Sequence, residues 1–157
     1  MCIIIDTCCL ALVFNSKTKG HDDFKPVRDW IVDGDGKMVY GGTKYKRELA
    51  KAHRYRRLVI EFKRAKLAIE LDSLPVDNAE KQVTIKTCDT SFNDQHLVAI
   101  VIVSKCRLLC TCEKSALPFI KDASLYPRGV KRPKIYSGKQ NTRLLTDRNI
   151  AGICRKL

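Results

Sequence analysis

Four acidic residues stand at positions where they could do chemistry. Asp6 closes the apolar run Ile3-Ile4-Ile5, Glu48 lies in Tyr45-Lys46-Arg47-Glu48-Leu49, Asp94 ends Ser91-Phe92-Asn93-Asp94, and Glu113 follows Leu108-Leu109-Cys110-Thr111-Cys112. In an open parallel sheet, working residues collect in the crevice at the carboxyl ends of the strands, where Asp6 and Glu113 fall if their apolar runs are strands. Carboxylates packed together repel one another and raise each other's pKa, so such a group persists where a cation or basic side chains neutralise it. A site of oxygen donors suits Mg²⁺ or Mn²⁺, which keep several waters and take phosphate oxygens as further ligands.

Each of these residues also has an ordinary structural use. An Asp at the end of a strand can cap a helix or accept from loop amides. Ser91-x-x-Asp94 has the form of a capping box, in which an acid at the third helical position favours the helix dipole, and that use is compatible with ligation. His96 borders the apolar segment at residues 97–103 and is expected to be a packing residue rather than a general base. The eight cysteines, at positions 2, 8, 9, 88, 106, 110, 112 and 154, fall mostly inside apolar runs. Reduced core thiols are expected, since free cysteine packs as a small hydrophobe. Cys8-Cys9 and Cys110-x-Cys112 lack the two-residue gap of common zinc knuckles, and neighbouring strand residues face opposite ways.

The net charge of +13 is uneven. Residues 43–70 carry ten Lys/Arg against three acids, and residues 131–157 carry eight against one, whereas residues 71–104 carry two against five. Basic density of this kind favours a polyanionic partner, because each neutralised phosphate releases condensed counterions. No apolar stretch approaches the roughly 18 residues of a membrane span, and the opening five residues are too short for a signal-peptide core. A cytoplasmic protein of one domain is expected from 157 residues, with a core at about 2–136 and a basic C-terminal segment at 137–157.

The elements that must position the acids alternate along the chain. Residues 2–5 read as a strand buried on both faces, and 24–32 as a short helix. A turn at Asp33-Gly34-Asp35-Gly36 leads to an extended piece ending at Gly41-Gly42. Thr43 is the expected cap of a helix at 44–53, followed by a helix at 54–66 and a strand at 67–71. Past Pro75 the spacing of Val76, Ala79 and Val83 predicts a weakly amphipathic helix that the β-branched run Val83-Thr84-Ile85 opposes. Ser91 is the expected cap of the buried helix through residues 96–103, and strands are expected at 107–112 and 134–136. This order predicts an α/β fold, a three-layer α/β/α domain with a mainly parallel sheet.

Three motifs together resemble the PIN-domain nucleases, similar to the small ribonuclease toxins of bacterial toxin–antitoxin pairs. They are Ile3-Ile4-Ile5-Asp6-Thr7, Tyr45-Lys46-Arg47-Glu48-Leu49 and Asn93-Asp94-Gln95-His96-Leu97-Val98-Ala99, with the strand ending at Cys112-Glu113 as a fourth part. The resemblance implies that Asp6, Glu48 and Asp94 ligate Mg²⁺ or Mn²⁺, that Thr7 places a hydroxyl near a ligand or substrate, and that RNA phosphodiesters are hydrolysed. Glu113 stands where the family usually has Asp, so Asp122 is kept as a fallback fourth acid. Lys44, Lys46 and Arg47 are candidates for guiding the RNA backbone, and Arg128, Lys131 and Arg132 for a second rim. By the same resemblance an inhibitory antitoxin or defence-system partner and a homodimer are expected. The rival reading is a catalytically degenerate PIN-like module that binds RNA or protein.

Overall fold

The computed structural model describes residues 2–146, 148 and 151–155. Five parallel strands form one sheet in the order β3-β2-β1-β4-β5. They are β1 (Cys2–Ile5), β2 (Lys37–Gly41), β3 (Ala68–Leu71), β4 (Leu108–Cys110) and β5 (Lys134–Tyr136). All four residues of β1 are fully buried, as the unbroken apolar run Cys2-Ile3-Ile4-Ile5 requires of a central strand covered on both faces. Ile4 pairs with Val39 on one side and Leu109 on the other. The chain builds outward from β1 to β3, then returns to the other side of β1 to lay down β4 and β5. The reversal point is therefore the gap between β1 and β4, the crevice where open α/β sheets bind ligands.

Helices α1 (Leu10–Phe14), α2 (His21–Val32), α3 (Thr43–Lys51), α4 (His53–Arg64), α5 (Ser73–Lys86) and α6 (Gln95–Ser104) connect the first four strands, and α7 (Leu117–Ile120) lies between β4 and β5. The three-layer α/β/α expectation holds. Helix α2 starts three residues earlier than its apolar spacing predicts, after Gly20 in the left-handed region at φ +90°. Its first residue is anchored by a hydrogen bond of 2.8 Å between His21 Nδ1 and the Leu12 carbonyl.

Thr43 is the first residue of α3 and does not cap it. Its amide and hydroxyl both donate to the Asp77 carboxylate of α5, at 2.8 and 2.6 Å. The preceding Gly42 has φ +83°, and a Cβ there would meet Val76 Cγ1 at 2.6 Å. Glycine thus lets α3 leave β2 pressed against α5, which sets where Glu48 can point. Helix α5 runs through Val83-Thr84-Ile85 despite their β-branching, because Val83 is buried and the Thr84 hydroxyl donates to the Glu80 carbonyl at 2.8 Å.

The strand at 107–112 is shorter than expected. The Thr111 amide still donates to the Tyr136 carbonyl at 3.2 Å, but the Glu113 amide turns back onto Thr111 Oγ1, also at 3.2 Å, and the ladder stops. After β5 the chain forms a 3₁₀ segment (Lys139–Leu144) and α8 (Gly152–Arg155), with Ala151 and Cys154 buried. Cys154 is disulfide-bonded to Cys2, so not all thiols are free as expected; folding brings together two residues separated by 152 positions. Among the described residues no helix is long and apolar enough to cross a membrane.

Candidate functional site

Asp6, Thr7, Cys8, Glu48, Ser91, Asn93, Asp94, Glu113 and Ser115 line one cavity of about 320 Å³ at the carboxyl edge of the sheet. All four acids singled out from the sequence border it. Asp6 arrives from the end of β1, Glu48 from the second turn of α3, Asp94 from the start of α6 and Glu113 from the loop after β4.

Parallel pairing of Ile5 with Cys110 brings the residues that follow them side by side. The Asp6 amide donates to the Cys110 carbonyl at 2.9 Å, and Thr111 Oγ1 donates to Asp6 Oδ2 at 2.9 Å. Asp6 is buried at 6% exposure, and Thr111 fixes the rotamer of its carboxylate. The Cys8 amide also donates to Asp6 Oδ1, at 3.4 Å, so Asp6 serves as N-cap of the short 3₁₀ turn Thr7–Cys9 as well. At Asp6 the capping use and the cleft position coexist.

Glu48 is held by different partners. Thr7 Oγ1 donates to Glu48 Oε2 at 2.7 Å, and His96 Nε2 lies 3.5 Å from the same oxygen. That separation is at the outer limit of hydrogen bonding, and neither buried ring nitrogen of His96 makes a well-formed hydrogen bond. His96 beside it, the Thr7 hydroxyl and the Lys44 charge hold the Glu48 carboxyl at about 2, below its usual 4.5, while burial pushes the other way. Helix α3 is tied to β1 by Tyr45, whose buried hydroxyl donates to the Ile5 carbonyl at 2.6 Å, one residue before Asp6. Lys44 reaches across to the Asn93 carbonyl and so joins α3 to the turn that carries Asp94.

Asp94 is not the third residue of a capping box. It occupies the N-cap position itself, and its side chain makes no capping bond. Helix α6 begins at Gln95, three residues later than a cap at Ser91 implies, and this frees the Asp94 carboxylate for the cleft. Burial raises its pKa, and the nearby charges of Asp6 and Glu48 raise it further, against the opposing charges of His96 and Lys44. Glu113 is exposed and accepts from Ser115 Oγ at 2.5 Å.

Several expected contacts fall elsewhere. Lys46 does not face the cleft; it pairs with Glu70 at 3.2 Å, a carboxylate shared with Lys63 at 2.6 Å. Arg47 lines a larger neighbouring groove of about 680 Å³ together with Lys44, Asp77, Glu80 and Lys81. Lys44 borders that groove and also contacts the turn that lines the acidic cleft. Asp122 is not a fourth acid of the site, because its carboxylate accepts from the Ser124 amide at 2.9 Å to cap the Ala123–Leu125 turn. Lys131 and Arg132 gather around Arg107, which precedes β4, so this basic rim lies toward the opposite edge of the sheet. Thr111, His96, Ser91 and Ser115 were not among the expected site residues; for Thr111 the available signal was its place directly after an apolar run matching the one before Asp6.

The donor chemistry fits a hard divalent cation. Asp6, Glu48 and Asp94 offer carboxylate oxygens into one cleft, and a cation would counter the burial and, after it, the repulsion that raise the Asp94 pKa. Their oxygens do not all draw within 4.8 Å of one another, so the acids are gathered less tightly than the sulfurs of Cys8, Cys9 and Cys112. No family model, curated protein or solved structure matches the chain.

Proposed function

We propose that the protein is a divalent-metal-dependent endoribonuclease of PIN type that hydrolyses RNA phosphodiester bonds in the cytoplasm. The observation that carries this reading is the convergence of Asp6, Glu48 and Asp94, from three separate elements, on the crevice between β1 and β4. The motif resemblance and the +13 charge support it.

Asp6, Glu48 and Asp94 would hold Mg²⁺ or Mn²⁺, with Glu113 at the exposed rim able to act through water. Bound there, the ion supplies a water of lowered pKa and neutralises charge on the phosphoryl oxygens. The chain's own residues set the conditions for that. Thr111 and Thr7 orient the Asp6 and Glu48 carboxylates by donating to one oxygen of each, and the second Asp6 oxygen carries only the long contact of 3.4 Å from the Cys8 amide. Lys44 adds positive charge where α3 meets the turn before α6, on the path a phosphate backbone would take to the acids. An inhibitory partner covering this cleft, as in toxin–antitoxin pairs, belongs to the same proposal.

Incubation of the purified protein with labelled RNA and Mn²⁺ or Mg²⁺ tests it, with Asp6→Ala and Asp94→Asn alongside. The wild type should cleave, and each variant should lose on the order of a hundredfold or more in rate, the several kcal/mol that metal-assisted charge stabilisation supplies. Equal cleavage by all three, or none by the wild type across a range of RNAs, overturns the enzyme reading. RNA binding without cleavage would favour the degenerate module, for which the engagement of Glu113 by Ser115 is the supporting observation.

A further inference from the structure

Beside the acidic cleft, three cysteine sulfurs meet. Cys8 and Cys9 sit on the 3₁₀ turn after β1, and Cys112 lies two residues past the end of β4. The Sγ atoms of Cys8 and Cys9 are 3.8 Å apart, those of Cys8 and Cys112 are 3.8 Å apart, and those of Cys9 and Cys112 are 3.5 Å apart. A tetrahedral zinc ion with Zn–S bonds of about 2.3 Å separates its thiolate sulfurs by roughly 3.8 Å, so the triangle already has the dimensions of one face of such a site.

Core packing does not account for this convergence. Cys9 is buried, but Cys8 and Cys112 are exposed, and burial of apolar surface gives no reason for exposed thiols to turn toward each other. The turn also removes the objection that adjacent cysteines face opposite ways, which holds for strands and not for a tight helical turn. Among the described residues, this is the one group of three His, Cys, Asp or Glu whose ligand atoms all lie within 4.8 Å of one another.

We propose that Cys8, Cys9 and Cys112 bind a thiophilic divalent cation, Zn²⁺, through three thiolates. On binding, each thiol releases its proton to solvent and its sulfur donates an electron pair to the ion, with no change of oxidation state. The fourth coordination position stays open to water or an incoming ligand, the arrangement of three protein ligands typical of zinc sites that do more than hold a fold together. Cys8 also lines the acidic cleft, so the ion sits at its border. The site uses sulfur atoms alone and stands or falls separately from the hydrolytic reading.

Titration of the reduced, chelator-stripped full-length protein with Co²⁺ tests the proposal. A strong near-ultraviolet thiolate-to-cobalt band and visible bands of tetrahedral cobalt should saturate at a single equivalent and vanish on adding Zn²⁺. Binding should weaken by about tenfold or more in Cys8→Ser and in Cys112→Ser, and persist in Cys88→Ser and in Glu48→Gln, which removes a cleft carboxylate and no sulfur. In the wild type, Zn²⁺ should also protect Cys8 and Cys112 from alkylation, a readout that does not depend on how well any variant folds. An octahedral cobalt spectrum alone, bands unchanged in both serine variants, or alkylation of both cysteines unaffected by Zn²⁺ would each overturn it.

Discussion

The carboxyl edge of the sheet carries two donor groups built on opposite plans. The carboxylates come from β1, α3 and the start of α6. Two of them have hydrogen-bond donors of their own, Thr111 for Asp6 and Thr7 for Glu48, and these donors keep the acids spaced around a cavity. The sulfurs of Cys8, Cys9 and Cys112 instead contact one another and lie within 3.8 Å of one another. Spaced hard donors suit an ion that keeps waters and exchanges them for phosphate, whereas converged soft donors suit one that sheds its waters. Fixing the acids separately costs more structure, and it explains why buried Thr111, Tyr45 and His96 crowd the acid side.

The contrast is sharpened most by Thr111→Val, which keeps volume and removes the donor to Asp6. Affinity for Mn²⁺ should fall by about tenfold to a hundredfold, the usual cost of losing a group that orients a ligand, while the cobalt–thiolate band stays. Loss of both together would mean that the two donor groups form one site, and unchanged manganese affinity would mean that Thr111 does not position Asp6. A smaller effect is expected from pH. The folded-state pKa of Glu48 is depressed to about 2 from a usual 4.5. Its contribution to stability is therefore fully present above pH 4.5 and is lost as pH falls toward about 2. Metal-free denaturant titrations across that window should show wild type losing more stability than Glu48→Gln. Parallel losses would contradict the depressed value.

Much of this edge was legible in the sequence, for reasons that differ by residue. Asp6 stood out because a charge ending an unbroken apolar run has few places to go except the rim of a buried sheet. Glu48 and Lys44 are four apart on one helix and share a face, while Lys46, two residues from each, points away and was misread as part of the site. Asp94 was placed correctly in space but not in role, since Ser91-x-x-Asp94 matches a capping box that the backbone does not form. Thr111 could be noticed from its place after an apolar run, but its role as donor to Asp6 needed the β1–β4 register, which depends on a pairing of residues more than a hundred apart. The same long-range pairing hid the meeting of Cys112 with Cys8 and Cys9, and the contact of Cys2 with Cys154. Fold class survives such gaps because it depends on alternation of elements, and a site depends on which strands become neighbours.

The central claim is that the spaced carboxylates act as one divalent-cation site. Calorimetric titration with Mn²⁺, on a Cys8→Ser/Cys112→Ser background so that sulfur contributes nothing, measures that alone. One saturable site, weakened by at least about tenfold in Asp94→Asn, is the predicted result. No saturable binding, or binding equally strong after the Asp94→Asn change, would contradict it.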